Sequence, residues 1–87
     1  MEFSVEFVDL GQVEFSPAIV SEISSDIARD HRAIPIAAGR AALCVAVDAP
    51  IDIEAIDRLH FACGRDLDVR VADPAQITHY LGLLYEQ

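Results

Sequence analysis

The run Ala42-Leu43-Cys44-Val45-Ala46-Val47 most constrains what this chain can fold into. It is continuously apolar, and Asp48-Ala49-Pro50 breaks it at once, so it reads as a strand buried on both faces. Such a strand needs cover on each side, and the following residues supply it. Asp52 reads as the cap of a helix from about Ile53 to Ala62, with Ile53, Ile56, Leu59 and Cys63 recurring at three- and four-residue spacing. Glu54 and Arg58 stand at i,i+4 on that helix, where opposite charges support each other, and Gly64 supplies its stop. Then Asp66, Asp68 and Arg70 alternate with Leu67, Val69 and Val71, the pattern of a strand with one wet face. Strand, helix and strand in this order make a β-α-β crossover. Strands 42–47 and 67–71 are therefore expected to be parallel and their connection right-handed.

The rest of the chain builds around that unit. Ser16-Pro17 starts a short helix, because serine caps open amides and proline at the first position forfeits no hydrogen bond. Ser24-Ser25-Asp26 caps a second, over about 25–31, which turns Ile27 and Ala28 inward and sets Arg29 and His31 near its negative end. Ala33-Ile34-Pro35-Ile36-Ala37 is a strand whose proline cannot donate to a ladder, which places it at a sheet edge or at an interruption. It forms a hairpin with 42–47 through the turn Ala38-Gly39-Arg40-Ala41. Asp73 with Gln76 three residues on has the capping-box form and opens a closing helix that buries Ile77, Tyr80, Leu81 and Leu84. Phe3, Val5 and Phe7 alternate with Ser4 and Glu6, and Val8-Asp9-Leu10-Gly11 closes that segment, so residues 1–15 are an extended arm or an extra strand. The expected fold is a small α/β (α+β) sandwich of order α-α-β-β-α-β-α. A three-stranded mixed sheet covered by helices forms one domain over 1–87, since 87 residues do not hold two cores.

Charge and composition then exclude functions. Six arginines stand against fifteen acidic residues, for a net charge of −9, which repels phosphate backbones and anionic lipid headgroups. The chain has no lysine, so no P-loop lysine, Schiff base or lysine general base is possible. A hydrophobic share of 53% rules out a disordered tail and exceeds what so small a core readily hides, which points to a partner. No apolar run reaches the roughly 18 residues of a spanning helix, and Met1-Glu2-Phe3-Ser4 carries no signal-like stretch. Cys44 and Cys63 are too few for a disulfide scaffold, and the expected compartment is the reducing cytoplasm.

No constellation assembles a catalytic, cofactor or metal site. Asp48 and Asp52 lie at the end of a buried strand, a favoured place for function, but no basic or nucleophilic residue accompanies them in sequence; they read as strand terminator and helix cap. His31, His60 and His79 fall on three different helices without metal-ligand spacing. Cys44 and Cys63 lie at packing positions, where a buried thiol holds little thiolate. Any anion site must draw on Arg29, Arg32, Arg40, Arg58, Arg65 and Arg70. Arg29 and Arg32 flank His31 as a small basic spot, although a helix end and a strand start account for both. The glycines, 11, 39, 64 and 82, are isolated and form no phosphate loop. No partner-binding residue stands out.

Taken in series, the landmarks resemble the N-terminal domain of type II secretion and type IV pilus assembly ATPases. The resemblance rests on Phe7-Val8-Asp9-Leu10, the stretch Ile27 to Ile36, the stretch Leu43 to Asp52, the helix Ile53 to Gly64, and Val69 to Asp73 followed by Ile77 and Tyr85. It covers about residues 7 to 85. Ala49-Pro50 stands where that family usually has Asp-Pro, with Asp48 one place early, which shifts the turn. Some members hold cyclic di-GMP through Arg-Leu-Gly segments; this chain has none, so that ligand does not carry over. The resemblance implies a non-catalytic adaptor that precedes a hexameric motor and docks on the cytoplasmic part of an inner-membrane platform protein or on the ATPase core. The rival expectation is a cyclic-dinucleotide receptor using Arg29, Arg32 or their neighbours.

Overall fold

The computed structural model describes residues 2–48 and 52–85, with residues 2–6 described by their backbone. Its elements run β1 (Glu2–Phe7), a 3-10 turn (Leu10–Gln12), α1 (Pro17–Val20), α2 (Ser25–His31), β2 (Ala33–Ala38), β3 (Leu43–Asp48), α3 (Ile53–Cys63), β4 (Leu67–Ala72) and α4 (Pro74–Leu84). The strands form one mixed sheet of order β1-β4-β3-β2. β3 and β4 pair in parallel from Leu43↔Leu67 to Asp48↔Ala72, and β2 pairs antiparallel with β3. The expected three-stranded core is thus in place, and the N-terminal segment joins it as a fourth strand, parallel to β4 at the open edge.

Local chemistry fixes each boundary. Ser16, Ser24, Asp52 and Asp73 each accept a hydrogen bond from an amide in the first turn of the helix that follows. Gly64 ends α3 at φ 69, a left-handed conformation that costs glycine nothing. Pro35 lies on the edge strand β2, beside a register irregularity between Pro35 and Ala37, where the missing amide interrupts no ladder. The turn at Ala49-Pro50 lies outside the described residues.

One core cluster runs through the fold. It joins Ile34, Leu43, Val45, Ala46, Leu67 and Val69 of the sheet to Ala28, Ile56, Leu59, Ile77 and Leu81 of the helices. Helix α2 packs against α3, while α4 lies against β2, β3 and the 3-10 turn. Tyr85 closes the base: its hydroxyl donates to Val20 O at 2.9 Å, and burial, with Cys63 nearby, pushes its pKa up to about 12.

Three expectations need correction. Ile53 is half exposed and not part of the buried stripe, because it stands at the first helical position and its side chain leans back beyond the packed turn. Gln76 does not reach back to its own cap. It accepts from Leu10 N at 3.0 Å and donates to Asp9 at 2.8 Å, tying α4 to the 3-10 turn. That contact, with the Gly11 amide, lowers the pKa of Asp9. Glu54 and Arg58 form no ion pair among the described residues; both are exposed, and solvent screening offsets the gain of holding two long side chains together.

Candidate functional site

The residues singled out by sequence distribute over three places. The first is the end of the sheet where β3 and β4 terminate. Arg32 follows α2 in a left-handed conformation (φ 50), and its guanidinium donates to Asp48 Oδ2 at 2.7 Å, Thr78 Oγ1 at 2.7 Å and Pro74 O at 3.1 Å. One side chain thereby joins α2, β3 and α4. Asp52 stays an N-cap, bonded to the Glu54 and Ala55 amides, and with His31 and Asp48 it lines a cavity of about 40 Å³ walled by Val47, Ile56 and Leu59. Asp48 and Asp52 are therefore brought near each other, yet each carboxylate already serves a structural partner.

The basic spot of Arg29 and Arg32 does not form. Arg32 turns to Asp48, whereas the Arg29 guanidinium donates to Tyr85 O at the end of α4, so it complements a helix end other than its own. Arg65 pairs with Glu22 at 2.6 Å and Arg70 with Asp68. Four of the six arginines are thus paired with acceptors of the chain itself, on a surface whose net charge is −9.

The histidines and cysteines stay apart. His60 approaches Asp66 at 3.6 Å, and His79 lies edge-on to Tyr80. Among the described residues no group of three or more His, Cys, Asp or Glu is arranged to hold a metal ion. Both thiols are free and half buried; burial raises both pKa values, reinforced at Cys44 by Asp68 and opposed at Cys63 by Arg65.

The second place is an open groove of about 650 Å³. Phe15, Pro17 and Val20 lie on one side and Leu83, Leu84 and Tyr85 on the other. The third is the outer face of α3. Phe61 is 89% exposed there, more than any other large hydrophobic residue described. The sequence reading passed over it, although a helical wheel finds it: Phe61 falls opposite the buried Ile56 and Leu59, in line with Ile53 and Asp57. What these two places offer is apolar contact on a chain of net charge −9.

Comparison with known proteins agrees with the fold. The structure of MshE with cdg matches at a TM-score of 0.81 and 21% identity, over 93% of this chain and 59% of that one. Two crystal forms of the N-terminal domain of XpsE match at a TM-score of 0.67 and 23% and 22% identity, each over 88% of this chain and 55% of the other. The chain thus spans somewhat more than half the length of these structures. No curated protein matches it. No helix among the described residues is long and apolar enough to cross a membrane. The MshEN domain profile matches residues 3–87, nearly the whole chain, so this chain belongs to the MshEN domain family, the N-terminal domains of the type II secretion and type IV pilus ATPases that its sequence resembles.

Proposed function

We propose that this domain is a non-catalytic docking and regulatory module of a type II secretion or type IV pilus ATPase system. It works in the cytoplasm and links the motor to the cytoplasmic part of an inner-membrane platform protein. The observation that carries this reading is the surface: Phe61 and Ile53 are large, exposed and apolar on one helix, and Arg29 and Arg32, the cations closest to a basic spot, are engaged by acceptors of the fold itself. Family membership supports it. Titrating the folded domain against the cytoplasmic domain of the cognate platform protein and against the ATPase core is expected to show saturable binding that weakens as salt rises, because the domain carries net charge −9. If neither protein binds at any ionic strength, the reading fails.

A second reading, a cyclic-dinucleotide receptor, is favoured by one observation, the likeness to MshE with cdg. Its phosphates would need cations. Arg29 and Arg32 are committed to Tyr85 and to Asp48, Thr78 and Pro74. Calorimetric titration with cyclic di-GMP and with ATP is therefore expected to give no saturable heat. Saturable micromolar binding of cyclic di-GMP would favour the receptor over the docking module.

A further inference from the structure

We infer that the outer face of α3 is the docking surface, with Phe61 as its anchor, and that its partner is a cationic protein surface bearing an apolar socket. The inference rests on the docking reading and assigns it a face and a partner chemistry. Ile53, Asp57 and Phe61 recur every four residues on α3 and span about 12 Å at a helical rise of 1.5 Å per residue. Ile53 is 50% and Phe61 89% exposed. An aromatic ring in the middle of a solvent face contributes nothing to this core, which α3 enters through Ile56 and Leu59 on its opposite side.

Charge decides what covers the ring. Asp57 and Arg58 stand one turn before it, Glu54 lies a further turn back and Asp52 at the helix start, so the exposed charges of the helix sum to an acidic excess with Arg58 as its one arginine. A second copy of the chain is a poor occupant, because two molecules that each carry −9 repel as they approach. A partner with arginine or lysine around an apolar socket meets both features. The carboxylates steer the approach, and the desolvated phenyl ring holds the complex, as central aromatic residues do at interfaces. The groove between α1 and α4 is the competing surface, and no residue of α3 lines it.

The test compares Phe61→Ser, Asp57→Lys and Leu83→Ser with the unmodified domain, using the platform protein's cytoplasmic domain and the ATPase core as probes. Phe61→Ser is expected to weaken binding by about tenfold or more, the loss typical of an interface anchor, with the melting temperature unchanged because the ring is exposed. Asp57→Lys is expected to slow association and flatten its salt dependence. Leu83→Ser is expected to bind as the unmodified domain does. Unchanged binding of Phe61→Ser, or loss of binding confined to Leu83→Ser, overturns this assignment while the docking reading stands. An unmodified domain that binds neither probe overturns both.

Discussion

Replacing Leu10 by alanine lowers the stability of the domain by about 3 kcal/mol, the middle of the range for emptying a buried leucine site. Leu10 is fully buried although it sits in a 3-10 turn of three residues next to an exposed strand end. Its amide is held by Gln76 and its neighbour Asp9 by the same glutamine, so the turn is fixed against α4 and has little freedom to collapse into the vacated volume. For a domain of this size the loss corresponds to a fall of about 15 °C in melting temperature. Gln12→Ala, an exposed change in the same turn, is the control and is expected to stay within about 0.5 kcal/mol of the unmodified domain. Denaturant unfolding monitored by circular dichroism measures both. A loss below about 1 kcal/mol for Leu10→Ala means that the turn is not part of the core.

That residue also marks where the sequence stopped being legible. The strands and helices were readable because each carries its own periodicity and its own cap: serine or aspartate before the four helices, Gly64 after α3, alternation in β4, proline on the edge strand. A three-residue 3-10 turn has no period to read, so Leu10 looked like the end of a segment. Gln76 misled for a related reason. Asp73 and Gln76 have capping-box spacing whichever way the glutamine turns, and only the distant Asp9 and Leu10 decide it.

The candidate site divides in the same manner. Net charge, the missing lysine and the apolar surplus came from counting, and they already favoured a protein partner over a nucleotide. Arg29 and Arg32 lie three residues apart in the sequence and look like one basic spot. Their separation depends on the left-handed backbone at Arg32, which sends one guanidinium to Asp48 and α4 while the other reaches Tyr85. No local pattern announces a left-handed arginine, since glycine and asparagine are the residues that usually mark it.

The backbone at Arg32 gives the second large effect, and it separates two contributions that usually act together. Arg32→Ala removes the bonds to Asp48, Thr78 and Pro74 while leaving a side-chain carbon in a left-handed conformation. The arginine and aspartate side chains are 38% and 33% exposed, so water replaces part of what is lost. The expected cost is therefore about 2 kcal/mol, below that of breaking a fully buried pair. Arg32→Gly loses the same bonds but relieves the left-handed strain, worth about 1 kcal/mol, and so is expected to be the more stable variant by that amount. Arg32→Lys keeps the charge yet presents one ammonium where a planar fork met three acceptors on two elements, so it is expected to recover less than half of the loss. Thermal unfolding of the three variants side by side gives the order, with arginine first, and glycine and lysine both above alanine. If glycine proves no more stable than alanine, the left-handed conformation at position 32 is wrong, and with it the route by which α2, β3 and α4 are joined.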